Sequence, residues 1–350
     1  MLARFKRFRL AVMSVIIAGA AVIGIAVPAN AALPDEDIGW NAVTYAAGQI
    51  YSQSTEGEAR DSHGNVLHAW RSATDNSIWI SLNSGNARQV PATTTTTFAQ
   101  TRAAPSVIWT DDGGPGNFRI FHTGVDGNIY QTRIQLTSAG YLPQTIPRVT
   151  QVPNTARTSA TTGPSAAALP NNSFMLAWAG ESGPDVWTMY FDGVSSAWHN
   201  PTTIPGARTV DAPSIAAEMT SWHQIVAVWR DSPTGQVYIS RQAYGANTWS
   251  SAYALGGTQP RTTDYSPSVA LTSNGWGLVT MVNAYDDTIA SVAISSAGSA
   301  STWYDEISHS PTVHTVLVVA LHAIMYYVRT QANGAIEYKR AADFTSVDHW

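Results

Sequence analysis

Short runs in which every second residue is apolar recur along this chain, in pairs separated by a few small or polar residues. One pair is "IVAVWRD" (Ile225–Asp231) followed by "GQVYISRQ" (Gly235–Gln242). The same shape returns as Val66–Ser72 with Asn76–Asn83, Phe118–Gly124 with Gly127–Ile134, and Phe174–Gly180 with Asp185–Asp192. It returns again as Gly277–Asn283 with Thr288–Ser295 and Ala323–Arg329 with Gly334–Ala341. Period-two alternation predicts strands, and the short polar links predict hairpins. A shorter strand is expected before five of the six, opened by small-Pro-Ser or Pro-Thr at Ala104, Gly163, Ala212, Ser266 and Ser310. Proline fits the first residue of a strand, where its missing N–H removes no ladder bond. After several hairpins comes a polar turn and a tryptophan (Trp198, Trp249, Trp303, Trp350), then a more polar run such as Trp249–Gly257.

Four strands per unit, six units and a spacing of roughly fifty residues predict an all-β fold, a six-bladed β-propeller with four-stranded antiparallel blades. A lone four-stranded sheet cannot cover both faces. Radial packing buries each face against a neighbour, so the middle strands read as almost continuous apolar runs. The C-terminus stops where an outer strand should begin, and Trp40–Gly48 resembles the outer run Trp249–Gly257. The N-terminal segment is therefore expected to complete the sixth blade. The first blade's inner strand is expected near Gln49–Thr55. The run Thr93–Thr97 and the insertion Leu136–Gly163 read as surface loops.

The first residues change the picture. Arg4, Lys6, Arg7 and Arg9 precede an apolar run, Leu10–Val27, then Pro28 and Ala29-Asn30-Ala31. A basic head, an apolar middle and an A-x-A end predict a secretory signal peptide over 1–31, cleaved after Ala31, with 32–350 as one propeller domain. The alternative is an uncleaved anchor. A secreted protein with no membrane association after cleavage is expected. The chain has no cysteine, so no disulfide holds it and no thiolate metal site exists. Its net charge is −5, only 12% of residues are charged, and basic patches are absent, which argues against nucleic-acid partners.

Met189–Ala217 ("MYFDGVSSAWHNPTTIPGARTVDAPSIA") resembles the fifty-residue units of bacterial and fungal sialidase-fold (BNR-like) propellers with lectin-like activity. The resemblance covers nearly the whole chain after the leader and extends more loosely to fucose-binding six-bladed lectins and sialidases. It implies the propeller fold and a glycan or polysaccharide partner. Two turns at the position of the sialidase S-x-D-x-G-x-T-W box keep the tryptophan but carry Tyr244 and Gly298 where the box has aspartate.

Candidate chemistry sits at strand ends. Trp70, Trp178 and Trp229 stand beside Arg71, Glu181, and Arg230 with Asp231, and Trp109 stands near Asp111 and Asp112. An aromatic face with adjoining polar groups suits a sugar ring and its hydroxyls. The same tryptophans could instead fill the space between blades. Arg71, Arg230 and Arg329 read as repeat-equivalent, and a ring of arginines could grip a carboxylate, as the sialidase resemblance implies. Each could equally be a solvated strand end. Glu181, Asp231, Asp286 and Asp287 are the available acids, and each could be a turn residue. No nucleotide, zinc-protease or serine-elbow motif is present, and no metal or cofactor is expected. A non-catalytic carbohydrate-binding propeller is the leading reading. The alternatives are a sialidase-like glycoside hydrolase and a structural or protein-interaction propeller.

Overall fold

The computed structural model describes residues 41–42, 57–72, 74–83, 85–93, 97–111, 116–153, 157–159, 161–220, 222–256, 261–271, 276–285, 289–298, 300, 304–306, 312–321, 324–331 and 336–340; for 41–42, 276, 289 and 304–340 it describes the backbone alone. These residues form antiparallel strands and no helix. The first sheet comprises Gly57–Arg60, Val66–Arg71, Ile78–Leu82 and Arg88–Gln89. The second comprises Ser106–Trp109, Asn117–Thr123, Ile129–Gln135 and Thr150–Gln151. In the third, Ser165–Ala168, Phe174–Ala179, Asp185–Asp192 and Ala197–Trp198 follow one another, and Thr202–Arg208 also pairs with Asp185–Asp192. The fourth holds Ser214–Glu218, Gln224–Arg230, Val237–Ala243 and Tyr253–Ala254; the fifth holds Ser268–Leu271, Trp276–Val282, Ile289–Ser295 and Tyr304–Glu306. The sixth is built from Thr312–Leu321, Ile324–Gln331 and Ile336–Arg340, and its outer strand is Asn41–Ala42, with Asn41 opposite Tyr338 and Ala42 opposite Glu337. The N-terminal segment therefore closes the sixth blade, as the sequence predicts.

The inner strands of successive sheets adjoin in order around the ring, and the sixth returns to the first. The architecture is a six-bladed β-propeller. Its core lies between sheets, not within them. Leu67, Ala69, Ile78 and Ile80 meet Val107, Phe118 and Ile120 at the first junction. Phe121 and Ile129 meet Phe174, Leu176 and Met189 at the second. Val226, Val228 and Ile239 meet Val279, Met281 and Val292 between the fourth and fifth.

The Pro-Ser mark has a second role that proline geometry alone does not reveal. The Ser106 hydroxyl accepts from the Ala166 amide, Ser165 from Ile215, and Ser214 from Val269, each at 3.1 Å. Each serine ties its inner strand to the next one around the ring. Just upstream, Thr101, Thr209 and Thr263 are buried and accept from the amides of Ala103, Asp211 and Tyr265, which turns the chain into each inner strand.

Two expectations are corrected. The first inner strand is Gly57–Arg60, whereas Gln49–Thr55 lies outside the described residues. It pairs with Val66–Arg71 through a tight turn in which Asp61 accepts from the amides of His63 and Asn65. The stretch Leu136–Gly163 is not all surface loop. Thr150–Gln151 is the second sheet's outer strand, and Leu136, Ile146, Val149 and Val152 are buried in the junctions beside it.

Candidate functional site

Among the described residues, the strand-end side chains singled out in the sequence stand at separate blade junctions. Trp70, Trp178 and Trp229 occupy one repeat-equivalent place, the next-to-last pair of the hairpin, opposite Trp79, Trp187 and Tyr238. All three are 0% exposed. Trp178 packs among residues of the second sheet, and Trp229 packs on Val186, Ile204 and Ala207 of the third. None offers a ring face to a sugar, so the filling of inter-blade space is their role.

Arg71 and Arg230 stand in the last hairpin pair, opposite Ile78 and Val237. Each is held at its own blade junction. Arg71 donates to the Arg102 carbonyl, and burial lowers its pKa. Arg230 donates to the Thr263 carbonyl and pairs with Asp211 at 2.9 Å and Asp264 at 3.8 Å. Arg329 is opposite Glu337, with Thr330 opposite Ile336 beyond it. It therefore stands one residue earlier, at the register of Trp70 and Trp229, and is not equivalent to Arg71 and Arg230. Its side chain lies outside the described residues. Glu181 pairs with Arg157 at 3.4 Å. Asp231 accepts from the Thr234 hydroxyl within its own turn. Trp109 pairs with Phe118 and so lies at the opposite end of the second sheet from the hairpin turn after Thr123. Asp112, Asp286 and Asp287 lie outside the described residues.

A cleft of ≈ 540 Å³ opens instead at the junction of the first and second sheets, on the end where the hairpin turns emerge. Its origin is legible in the hairpin register. His122 pairs with Tyr130 in the next-to-last position of the second hairpin, where the first, third and fourth hairpins carry tryptophan. Residues 118, 120 and 122 share a face, and Phe118 and Ile120 pack on the first sheet, so His122 faces that junction. An imidazole there leaves room that an indole fills elsewhere. The turn residues Asp75 and Ser77 form one wall. Gly124, Val125, Asp126 and Tyr130 form the other, and Ala92–Thr93 with Thr97–Gln100 border it.

The polar groups of the cleft are held in place. Asp75 Oδ1 accepts from the Ser77 amide at 3.0 Å and its hydroxyl at 2.7 Å, and Gln89 Nε2 lies 3.5 Å from Asp75 Oδ2. Asp126 accepts from the Asn128 amide at 3.1 Å, from Asn128 Nδ2 at 2.7 Å and from the Tyr130 hydroxyl at 2.8 Å. The Ser77 hydroxyl foremost draws the Asp75 pKa down. For Asp126, burial works the other way but the bonds from Asn128 and Tyr130 outweigh it, and the pKa is again lowered. Burial, reinforced by Asp126, raises that of Tyr130. His122 is 2% exposed, its ring lies 5.6 Å from that of Tyr130, and its Nδ1 has no hydrogen-bond partner. Burial pushes its pKa from 6.5 to about 3, against the pull of Asp126, so the ring is neutral. Phe98 is 49% exposed at the mouth, where Val125 is equally open. The arrangement offers aromatic surface, ionised acceptors and a neutral imidazole floor, with no lysine or arginine among the lining residues. Among the described residues, no group of three or more His, Asp or Glu side chains could hold a metal.

No protein-family model and no curated protein matches the chain. Solved structures match it in shape. The fucose-specific lectin from Aleuria aurantia aligns with a TM-score of 0.60 and 8% identity over 84% of this chain and 97% of the lectin. AofleA from Arthrobotrys oligospora aligns at 0.62 with 12% identity over 87% of this chain and 86% of its own. A Hadza microbial sialidase aligns at 0.54 with 12% identity, over 84% of this chain and 67% of the sialidase. At such identities the likeness is one of fold. The Aleuria lectin is itself described as a six-bladed propeller, in keeping with the sheet order found in this chain.

Proposed function

We propose that this chain is a carbohydrate-binding propeller of the lectin-like, sialidase-fold kind, acting without catalysis, and that the cleft between its first and second sheets takes the glycan. One observation carries this reading. His122 replaces the tryptophan that fills the equivalent place in three other blades, and the space so left is walled by aromatic rings and by carboxylates already fixed by their neighbours. A sugar asks for those groups: C–H faces stack on aromatics, and hydroxyls donate to preset acceptors. The cleft volume falls within the ~300–1,000 Å³ usual for small-ligand sites. The shape likeness to fucose lectins adds fold-level support only. The hydrolase alternative gains no comparable support, because Arg71 and Arg230 belong to the first and fourth sheets and each serves its own junction.

The test is a glycan array read with the wild-type protein and His122→Trp. The wild type should retain at least one glycan class. His122→Trp should restore the packing of the other blades and lose that binding by more than tenfold while melting at or above the wild-type temperature. A wild type silent on every glycan sinks the reading, as does undiminished binding by a folded His122→Trp.

Export belongs to the same proposal. It is supported by the basic head, the run Leu10–Val27 and Ala29-Asn30-Ala31. The mass of the protein recovered from the medium should begin at Ala32; a full-length product would overturn cleavage.

A further inference from the structure

Resting on that reading, we propose that the cleft prefers a sugar bearing a free amine, a hexosamine with its ammonium group exposed, and turns away glycans that carry a carboxylate. The two carboxylates of the cleft come from hairpin turns of different sheets, Asp75 from the first and Asp126 from the second. Their side-chain partners include Ser77, Ser72 and Gln89 for one and Asn128 and Tyr130 for the other, each of them neutral. The Arg157 guanidinium is engaged by the Asp126 backbone carbonyl and by Glu181, with which it pairs at 3.4 Å. Neutral donors keep a carboxylate ionised without cancelling its charge. Two uncancelled negative charges on opposite walls favour a cation between them and repel an anion. Gln89 Nε2 reaches Asp75 Oδ2 only at 3.5 Å, and a carboxylate oxygen can accept more than one donor.

His122 supplies an independent sign that the cleft is incomplete as it stands. Its Nδ1 is buried without a partner, as are the Nε1 atoms of Trp178 and Trp229, but His122 lines the cleft and those indoles do not. A small hydroxylated or aminated ligand brings donors to such a place, which a hydrocarbon occupant does not. The exposed ring of Phe98 and the half-buried ring of Tyr130 select a flat C–H face over an unbranched polyamine chain. An ammonium adds three donors and the missing positive charge.

The test is calorimetric titration of the full chain with methyl glycosides of glucosamine, N-acetylglucosamine, glucose and glucuronic acid, and with spermidine, at 20 and 300 mM salt. The glucosaminide should bind at least tenfold more tightly than its N-acetyl and neutral counterparts. That lead should shrink in high salt and in Asp75→Asn and Asp126→Asn, and the glucuronide should give no heat. All binding should vanish in His122→Trp. Equal or tighter binding of the neutral sugars, lost in His122→Trp, overturns the amine preference and leaves the glycan reading standing. Glucuronide binding at the cleft, or spermidine binding as tight as the glucosaminide's, overturns it as well. Silence toward every sugar overturns the underlying reading itself.

Discussion

Replacing Trp229 by alanine is expected to lower the stability of the folded protein by about 4 kcal/mol and to leave glycan binding at the first junction unchanged. The indole is fully buried, rests on Val186, Ile204 and Ala207 of the preceding sheet, and stacks at 6.3 Å on Tyr238, its cross-strand partner. Its Nε1 makes no hydrogen bond, so truncation removes packing and apolar burial alone. The flanking strands are fixed by their ladders and by the serine ties between inner strands, so the space cannot collapse to recover the loss. Denaturant titration of wild type and Trp229→Ala measures the difference. A drop below 1 kcal/mol would contradict the packing role. A loss of glycan binding with unchanged stability would return Trp229 to the list of sugar contacts.

That contrast explains what the sequence could and could not disclose. The hairpins and their order were legible because period-two alternation and Pro-Ser marks repeat with the blades, and the closure by Asn41–Ala42 because Trp40–Gly48 resembles the outer run Trp249–Gly257. Two strands were missed for lack of that signal. Gly57–Arg60 (Gly-Glu-Ala-Arg) has neither an apolar run nor a proline, and Thr150–Gln151 is two polar residues. The tryptophans were found but their surroundings were not. Alternation says that Trp70, Trp178 and Trp229 share a face of their strands; only the adjoining sheet decides whether that face meets protein or solvent. Arg329 ends its apolar run as Arg230 does, but the sixth hairpin's turn is one residue shorter, and one residue of register moves a strand side chain to the other face. The signal for the cleft was present all along. "FRIFHTG" aligned with "VLHAWRS", "FMLAWAG" and "IVAVWRD" puts His122 in a column of tryptophans. The column is not uniform, since Met281 also stands there and is buried in the core, so it is the cleft beside His122 that sets the second blade apart.

The same exception predicts an acid-sensitive fold. His122 is buried and neutral, with its pKa pushed to about 3, whereas in the unfolded chain it returns to about 6.5. Above pH ~6.5 neither state binds the proton, and His122 contributes no pH dependence. Between ~6.5 and ~3 the unfolded chain takes up a proton that the folded chain refuses. Stability should therefore fall as pH drops through that window, by about 1.4 kcal/mol per pH unit and about 5 kcal/mol in all. The charged groups facing the imidazole do not reverse this sign. Asp126 draws a proton toward it, but burial dominates. The lowered pKa values of Asp75 and Asp126 stabilise the fold above the unfolded carboxylate value of about 3.9 and lose that contribution only below it. The interval from pH 6.5 to 4.5 thus isolates His122 from both. Unfolding free energies of wild type and of His122→Trp, measured across that interval, should diverge by about 2 kcal/mol as the wild type weakens and the indole, which cannot titrate, does not. Parallel curves would mean that the imidazole accepts its proton in place, and that the floor of the cleft is wetter than its burial implies.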